Sequence, residues 1–308
     1  MRIALTAALA IGAASPLRAQ SPIRLELIDT AVFKASRVVE SSGVTPSRRR
    51  SGVLWTHNDS GDEPRLYATD SAGDDLGAVR VAGAANVDWE DLGAGPCPGL
   101  AARCLYVADI GDNERSRDHI VIYRLQEPEP PSGPGDTLRE VPFDEATALR
   151  YPDHPHDAEA IVIDARARVF VITKEVLGPP RMFEVPARGR PQAPGQCDTL
   201  RWVGYLDVAP NLALLRVVTG ADVSPDGSVL VARTYSSLHF FRLRGDSLPA
   251  PLTPPGGLMI PFVEPQGEGV AFLDPGTIVL TSERGDADHG TIARLRVLGL
   301  PTEAGRAP

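Results

Sequence analysis

Two turns in the sequence carry carboxylates and carboxamides at a spacing that could bind a metal ion. Residues 58–62 read NDSGD and residues 109–113 read DIGDN, so each turn places at least three oxygen-bearing side chains within five positions. Oxygen ligands of this kind favour Ca²⁺ or Mg²⁺ over zinc or copper. The glycine in each turn permits a tight wrap of the backbone. The alternative is that Asp, Asn and Gly are ordinary turn formers at both places.

More acidic residues stand at the starts of strand-like runs such as VDWEDLG and DAEAIVI. If these runs line one channel, their first residues meet the ends of the following runs on a single face. Desolvated carboxylates are costly unless they are paired, so this face needs a cation. We therefore predict a Ca²⁺ site on the channel face. Its candidate ligands are Glu40, Asn58, Asp59, Asp88, Asp109, Asp112, Asp157 and Asp222.

Five further residues on the same predicted face are of types that could take part in catalysis. They are Glu90, Glu159, Glu268, Lys174 and Arg233. One of the glutamates could take a proton from a water molecule that a bound Ca²⁺ activates. The two basic side chains could neutralise part of the acidic charge. The alternative is that the acidic and basic residues form structural salt bridges with one another.

Histidines and nucleophile motifs give a weaker indication of catalysis. His154 and His156 precede Asp157 and could act as general acid or base, although a solvated loop is the simpler interpretation. His57 alternates to the other side of its strand, which predicts that it packs within a sheet. The sequence contains no G-x-S-x-G nucleophile elbow and no phosphate-binding Gly-Lys-Ser/Thr loop, which disfavours a serine hydrolase.

A repeated pattern of strands must position these residues. Short units, RLYATD, VIYRLQ, RMFEVP, HFFRLR and TIARLR, are centred on residues 67, 123, 183, 241 and 293, at spacings of 56, 60, 58 and 52 residues. Two strand-like runs precede each unit, and after the first four units a turn rich in Gly, Pro or Asp leads to a fourth run. A regular period of this size, built from short strands, predicts an all-β fold, the β-propeller.

The ends of the chain complete this prediction. The last repeat has no fourth strand, whereas a spare strand, IRLELIDTAVF, starts at residue 23. We predict that this N-terminal strand completes the last blade and closes the ring, which removes two exposed sheet edges. The result is a propeller of five four-stranded blades, with six blades as the alternative. We assign residues 1–19 to a signal peptide and residues 20–308 to a single propeller domain.

Charge and composition limit the partners. The net charge is −9 with 43% hydrophobic residues, so we expect a normal core and no nucleic-acid partner. Residues 3–14 form an apolar run too short to span a bilayer, which with the small residues that follow indicates a secreted or periplasmic protein. We expect a monomer without a membrane span, which binds a small molecule, a glycan or a protein at the channel face.

The sequence contains three cysteines, and whether they form disulfides depends on the redox state of the compartment that holds the protein. Cys97 and Cys104 flank a turn-like segment, and in an oxidising compartment they form a disulfide, with a pair of free thiols as the alternative. Cys197 has no obvious partner.

The signatures ESSG…HND, DWED…ADIGDN, DAEA…TKE, TGADVSPDG…RTY and GEGVAF…TSE resemble those of exported bacterial propellers of the SdiA-regulated type. More distantly, the chain is similar to β-propeller phytases. The first resemblance implies an exported propeller associated with calcium. The second implies that channel-face carboxylates hold calcium ions that bind phosphate and activate water. The residues that occupy suitable places for this are Glu90, Glu159, Glu268, Asp109 and Lys174.

Two functions follow from the sequence. The first is an exported propeller whose acidic channel face holds Ca²⁺ and binds a ligand or partner. The alternative is a metal-dependent hydrolase of a phosphoester or a lactone that uses the channel-face carboxylates. Because propellers support both kinds of function, the fold by itself does not separate them.

Overall fold

The computed structural model describes residues 22–134, 138–187, 192–193, 195–208, 217–244, 248–255 and 257–301. Every regular element within these ranges is a strand. The strands of the first half are β1 (Arg24–Val32), β2 (Ser41–Pro46), β3 (Val53–Asn58), β4 (Arg65–Asp70), β5 (Asp75–Ala82), β6 (Trp89–Pro96), β7 (Arg103–Asp109), β8 (Ile120–Gln126), β9 (Arg139–Pro142) and β10 (Glu145–Arg150). Those of the second half are β11 (Ala158–Ile163), β12 (Val169–Thr173), β13 (Arg181–Glu184), β14 (Asp198–Thr199), β15 (Arg201–Tyr205), β16 (Val218–Val223), β17 (Val229–Thr234), β18 (Ser237–Arg242), β19 (Ala250–Pro251), β20 (Leu258–Met259), β21 (Gln266–Asp274), β22 (Thr277–Glu283) and β23 (Thr291–Leu298).

The strands form five separate sheets, each of which is one blade. In order around the ring, the blades are built on β2-β3-β4-β5, β6-β7-β8-β10, β11-β12-β13-β15, β16-β17-β18 with the short β19 and β20, and β21-β22-β23-β1. The innermost strands β2, β6, β11, β16 and β21 each contact the next, and β21 returns to β2, so the ring is closed. The prediction of a five-bladed propeller is confirmed, and the six-bladed alternative is wrong.

The N-terminal strand closes the ring as predicted. Strand β1 pairs antiparallel with β23, from Arg24 opposite Leu298 to Val32 opposite Thr291. The side chain of Arg294 in β23 also forms an ion pair with Asp29 in β1. Because the last blade takes its outer strand from the start of the described chain, β23 is paired on both sides and is not left as an open edge.

Two blades gain an additional parallel strand from the next repeat, which the sequence did not indicate. Strand β9, which follows the proline-rich segment after β8, pairs with β5 of the first blade. Strand β14 pairs in the same way with β10 of the second blade. These additions cover the outer edges of two sheets and so protect them from pairing with other chains.

The core lies between the blades. Five clusters of buried apolar side chains each join two neighbouring blades, and together they continue around the whole ring. In the cluster between the first two blades, Trp55 and Leu66 pack with Trp89 and Leu105, all fully buried. Burial of one such side chain stabilises the fold by about 1.5–3 kcal/mol. The clusters therefore hold the innermost strands, and the residues at their ends, in fixed positions.

Buried carboxylates connect innermost strands of neighbouring blades. Asp91 in β6 accepts a hydrogen bond from the backbone N–H of Ile161 in β11 at 2.8 Å. Asp222 in β16 accepts one from the backbone N–H of Phe272 in β21 at 2.7 Å. Burial raises the pKa of Asp91 well above its ordinary value and that of Asp222 to about 6. These carboxyl groups serve as links between blades, because each satisfies a backbone donor of the next blade.

The predicted disulfide between Cys97 and Cys104 is confirmed, and it closes the hairpin between β6 and β7. Cys197 is a free cysteine. A disulfide is compatible with an oxidising compartment. The predicted signal peptide, residues 1–19, lies outside the described residues. No helix in the described ranges has the length and apolar character needed to cross a membrane.

Candidate functional site

The register of the inner strands brings most of the predicted site residues to one end of the ring. In every blade the start of the innermost strand lies opposite the end of the second strand. The pairs are Ser41–Asn58, Trp89–Asp109, Ala158–Thr173, Val218–Thr234 and Gly267–Ser282. The predicted meeting of these two sets of residues is therefore confirmed. We refer to this end of the ring as the acidic face.

Each innermost strand has a β-bulge directly after this pair. The irregularities fall between Ser41 and Val44, Trp89 and Asp91, Ala158 and Ala160, Val218 and Gly220, and Gly267 and Val270. The first residue within each irregularity is Ser42, Glu90, Glu159, Thr219 or Glu268. Because a bulge re-aims the side chain of the extra residue, five oxygen-bearing side chains occupy equivalent positions around the ring.

Carboxylates from three blades converge on the acidic face. Ligand oxygens of Glu90, Asp157 and Glu159 all lie within 4.8 Å of one another, and all three residues are buried. A second group with the same limit consists of Asp59, Asp88 and Glu90. Glu90 belongs to both groups, so the five residues form one continuous cluster. We call these five residues the axial cluster.

The electrostatics of the axial cluster oppose full ionisation. Burial, followed by the charges of Glu159, Asp59 and Asp88, raises the pKa of Glu90 well above its ordinary value. Burial raises the pKa of Glu159 to about 7, although the nearby ammonium of Lys174 acts in the opposite direction. Burial and the charge of Asp59 raise the pKa of Asp88 to about 6. The metal-free cluster therefore holds protons near neutral pH.

Lys174 is the basic residue in direct contact with the axial cluster. It directly follows β12, and its ammonium forms an ion pair with Glu159. Burial acts to lower the pKa of Lys174, but the charge and hydrogen bond of Glu159, together with Tyr235 and Asp157, raise it above the ordinary value. Among the described residues, one ammonium thus forms an ion pair with a cluster of five carboxyl groups.

Glu268 lies at the edge of the axial cluster with an unsatisfied oxygen. Its Oε1 accepts a hydrogen bond from the side-chain amide of Gln266 at 2.9 Å, whereas its Oε2 is buried without a hydrogen-bond partner. Glu268 is only 2% exposed, and burial together with the charge of Glu159 raises its pKa well above the ordinary value. A buried carboxylate oxygen without a partner is costly, so it favours the presence of a ligand.

Glu283 and Glu40 stand next to this group on the acidic face. Burial, then the charges of Asp59 and Glu40, raises the pKa of Glu283 to about 7. Glu40 is exposed and directly precedes β2. The structure therefore extends the acidic surface from the axial cluster across the first and last blades.

The side-chain oxygens of Asn58 and Asp112, both predicted as metal ligands, already accept hydrogen bonds from backbone N–H groups. The side-chain oxygen of Asn58 accepts hydrogen bonds from the N–H groups of Val39 and Glu40, at 3.0 and 3.1 Å. The carboxylate of Asp112 accepts two more, from the N–H groups of Ser116 and Arg117, both at 2.9 Å. Asp112 thus holds the loop that follows it, in line with the turn-forming alternative, whereas Asn58 holds the segment that leads into β2.

Asp109 is also occupied by protein groups. It accepts a hydrogen bond from the N–H of Asp88 at 3.1 Å, and it forms an ion pair with Arg117 at 2.9 Å. By holding the backbone of Asp88, Asp109 positions one residue of the axial cluster. Its place is therefore next to the cluster, as a support.

Asp222 and Arg233 lie within the blades. Asp222 is opposite Val231 in the middle of β16, three residues beyond the bulged Thr219. Arg233 is 0% exposed, donates hydrogen bonds to the carbonyl oxygens of Gly269 and Thr281 at 2.6 and 2.9 Å, and pairs with a glutamate, Glu264. Both side chains thus connect the fourth blade to the fifth.

His57 is fully buried within the first blade, which confirms the predicted packing. Its ring meets Trp89 edge-on at 5.7 Å, and Nδ1 donates to the carbonyl oxygen of Asn58 at 2.9 Å. Burial lowers the pKa of His57 to about 4. The imidazole therefore remains neutral at physiological pH and serves packing.

Sequence reasoning placed Asp222 at the acidic face and missed the equivalent positions of Ser42 and Thr219. The sequence did contain a signal for the position of the bulge. In three blades a glycine directly follows the bulged residue, in the pairs Ser42-Gly43, Thr219-Gly220 and Glu268-Gly269. Without a side chain, such a glycine lets neighbouring inner strands approach closely. A Cβ added to Gly220 would lie 2.6 Å from the carbonyl oxygen of Glu268.

Comparisons with known proteins add three solved structures of low similarity. An aldose sugar dehydrogenase from Streptomyces coelicolor, in its PQQ-bound form, has 14% identity and a TM-score of 0.46, covering 89% of this chain and 98% of its own. A gluconolactonase from Xanthomonas campestris has 12% identity and a TM-score of 0.39, with 79% and 68% covered. A putative 6-phosphogluconolactonase from Bacteroides uniformis has 14% identity and a TM-score of 0.41, with 86% and 69% covered.

No family model and no curated protein matches the chain. Similarities at these identities and TM-scores do not indicate what reaction or ligand this chain has. The assignment of the fold therefore depends on the sheets and their closure, and the function depends on the residues of the acidic face.

Proposed function

We propose that this protein is a binding propeller whose axial cluster holds Ca²⁺, and that the ion presents its open positions to an oxygen-bearing ligand. The observation that carries the proposal is the approach of buried carboxylate oxygens from Glu90, Asp157 and Glu159 to within 4.8 Å of one another. Two oxygens on opposite sides of one Ca²⁺ ion are about 5 Å apart, so this spacing suits a shared ion. The buried, unpartnered oxygen of Glu268 supplies independent support.

The energetics favour a cation at this place. Two carboxylates whose oxygens are 4.8 Å apart repel by about 3 kcal/mol at an effective dielectric constant of ~20. The single ammonium of Lys174 neutralises one charge of the five in the axial cluster. A divalent ion would offset this repulsion and allow the carboxyl groups to ionise at neutral pH.

The donor set indicates the kind of ion. The axial cluster offers carboxylate oxygens, whereas the histidine and cysteine ligands that zinc prefers are absent from it. Oxygen donors on a rigid, bulged ring suit Ca²⁺, which accepts six to eight oxygen ligands in variable geometry. The remaining ligands would come from a bound glycan, small molecule or protein, and from water.

Calcium titration of the mature protein tests this proposal. We expect one Ca²⁺ to bind and the melting temperature to rise, with a stabilisation of about 2.7 kcal/mol at a free concentration 100 times the Kd. Glu90→Gln removes the carboxylate that both groups share, so we expect at least ~10-fold weaker binding. The matched control is Glu140→Gln, a change at an exposed residue that pairs with Arg80 on the outer edge.

If neither Ca²⁺ nor EDTA changes the melting temperature between pH 5 and pH 8, and calorimetry detects no binding, the axial cluster holds no calcium. Equal binding by the Glu90→Gln and Glu140→Gln variants would place the ion elsewhere.

A second candidate function is a calcium-dependent hydrolase of a lactone or phosphoester. The observation that favours it is the pKa of Glu159, which burial raises to about 7, the range that suits a general base. Glu159 would take a proton from a water molecule, and Lys174, in contact with it, would stabilise the developing negative charge. A lactone and phosphoester panel with Ca²⁺ separates the two functions: turnover lost in Glu159→Gln and retained in Glu140→Gln supports the enzyme.

Export forms part of the proposal. Its basis is the sequence of residues 1–19, with an early charge, an apolar run and small residues before a cleavage point at Ala19. The disulfide between Cys97 and Cys104 is consistent with an oxidising compartment. Calcium sites of weak affinity are typical of extracellular modules, which suits an ion held on an open face.

A further inference from the structure

A second group of metal-ligand residues lies in the loop that leads from β10 of the second blade to β11 of the third. Asp153, His154 and His156 each offer one ligand atom, and these atoms all lie within 4.8 Å of one another. Unlike the axial cluster, this group contains two imidazoles and one carboxylate. Such donors suit transition metals, above all zinc, in place of calcium.

His156 is held rigidly. It is 1% exposed, and its ring packs against Tyr151 and Phe183 at centroid distances of 4.8 and 5.5 Å. The ring of His154 lies over it at 4.2 Å. Because burial and packing fix the imidazole, a metal would meet a ligand that is already in place, with little ordering cost.

The second nitrogen of each ring faces an oxygen, in a hydrogen bond at His154 and in a longer contact at His156. The Nδ1 of His154 lies 2.9 Å from the carbonyl oxygen of Pro155. A carbonyl oxygen only accepts, so Nδ1 carries the proton and Nε2 keeps its lone pair. The Nδ1 of His156 lies 3.5 Å from Oε1 of Glu175. Metal-binding histidines are usually oriented in this way, by a carbonyl or a carboxylate on the second nitrogen.

Nε2 of His156 and Oδ1 of Asp153 face each other at 3.0 Å. Without a metal, Nε2 donates a proton to this carboxylate. With a metal, the ion would replace the proton between the two atoms, and the proton would move to Nδ1, toward Glu175. The neutral imidazole changes tautomer in this step, and no proton is lost to the solvent.

The charged neighbours leave this position open. Arg181 pairs with the other oxygen of Asp153, Oδ2, at 2.9 Å. Arg115 pairs with the other oxygen of Glu175, Oε2, at 3.2 Å. Each arginine thus holds a carboxylate oxygen that faces away from His156, and Nε of Arg181 also lies 3.9 Å from Oε1 of Glu175.

We propose that Asp153, His154 and His156 form a zinc site, in which both Nε2 atoms and Oδ1 bind the ion. Glu175 is the positioning residue that orients His156. Three protein ligands leave the fourth tetrahedral position to water or to a ligand bound at the acidic face. This site is distinct from the proposed calcium site in its donor atoms.

Titration with Zn²⁺, monitored by calorimetry and by the visible spectrum of Co²⁺ as a substitute, tests the proposal. We expect one Zn²⁺ per chain and a Co²⁺ spectrum with nitrogen and oxygen ligands in tetrahedral geometry. His154→Ala removes an exposed ligand with little risk to the fold, and we expect at least ~10-fold weaker binding with loss of the Co²⁺ bands. The control is His289→Ala, another exposed histidine outside this group.

Two further variants separate a metal ligand from a structural residue. Asp153→Asn should weaken Zn²⁺ binding as His154→Ala does, and Glu175→Gln should weaken it about 10- to 100-fold while the Co²⁺ bands persist. Glu90→Gln should leave Zn²⁺ binding unchanged, which distinguishes this site from the axial cluster. The proposal is overturned if the wild-type protein binds no Zn²⁺, or if His154→Ala and Asp153→Asn bind it as tightly as wild type.

Discussion

Glu90 is the residue at which the two groups of the axial cluster meet. It stands in a bulge near the start of β6, and its carboxylate lies near Asp59 and Asp88 on one side and Asp157 and Glu159 on the other. Ionisation of a carboxyl group in this position is costly to the metal-free fold, because it is buried among other acidic groups. The same position gives it the most contacts with a bound cation, so affinity and metal-free instability have one origin.

The raised pKa of Glu159 predicts a dependence of stability on pH. Its pKa rises from an ordinary value of 4.5 to about 7 in the fold. Below pH ~4.5 the carboxyl is protonated in both states and the fold is not penalised. As the pH rises to ~7 it ionises first in the unfolded chain, so the metal-free protein loses roughly 3 kcal/mol of stability at most.

Chemical unfolding in EDTA from pH 4.5 to pH 8 measures this loss. We expect the wild-type free energy of unfolding to fall more steeply than that of Glu159→Gln, which has no titrating group there. Added Ca²⁺ should suppress the difference, because the ion stabilises the ionised form. Parallel pH profiles for the two proteins in EDTA would refute this account of Glu159.

At the scale of elements, the site depends on irregularities in otherwise regular strands. All five innermost strands carry a bulge at the same level, and the loop after β7 approaches one of them closely. Two successive N–H groups of that loop, at Ile110 and Gly111, donate to the carbonyl oxygen of Asp88 at 3.1 Å each. The carboxylates of Glu90 and Asp88 occupy the space where residue 111 would carry a side chain.

Gly111→Ala should therefore separate the two carboxylates. The added Cβ would overlap both of them, so either the loop or the side chains must move. We expect about 10- to 100-fold weaker Ca²⁺ binding in calorimetry, with a fold that still unfolds cooperatively. The matched control is Gly133→Ala, because a Cβ at that glycine meets no atom within 4 Å. Unchanged calcium affinity in Gly111→Ala would show that the close contact of residue 111 with the carboxylates of Glu90 and Asp88 does not shape the site.

At the scale of the whole molecule, ring closure joins the two ends of the described chain. Strand β1 supplies the fourth strand of the last blade, and Ile23 and Leu25 add apolar surface to the cluster between the last two blades. Opening the ring would expose the edge of β23 and loosen the spacing of all five inner strands. The axial cluster draws residues from three blades, so its geometry depends on this closure.

Removal of residues 22–32 tests this dependence. We expect a lower melting temperature, loss of a single cooperative transition, and self-association through the free edge of β23 in size-exclusion chromatography. The contrasting variant is Cys97→Ser with Cys104→Ser, which opens one short loop and leaves the ring closed. For that variant we expect a loss of about 2–3 kcal/mol and intact cooperativity. A truncated protein that is monomeric and as stable as wild type would contradict the role of β1.

The period of the strands, the spare N-terminal strand and the disulfide could all be predicted, because alternation, turn residues and cysteine spacing are local features. The gathering of Glu90, Glu159 and Glu268 on one face also followed from counting strands within each repeat. The assignment of Asp222 to the acidic face was wrong, because the bulge that aims a side chain at this face falls at Thr219, three residues earlier in β16.

The amino-acid sequence by itself determined that the chain builds repeated four-stranded sheets and that each repeat places polar residues at the same end. Those properties depend on neighbours within a few residues, where side-chain alternation and turn chemistry act. Only the tertiary structure decided which of the polar residues hold backbone segments of their own blade, as Asn58 and Asp112 do, and which meet across blades. Contacts between blades join residues far apart in the chain, and their distances are set by how closely the inner strands pack around the axis.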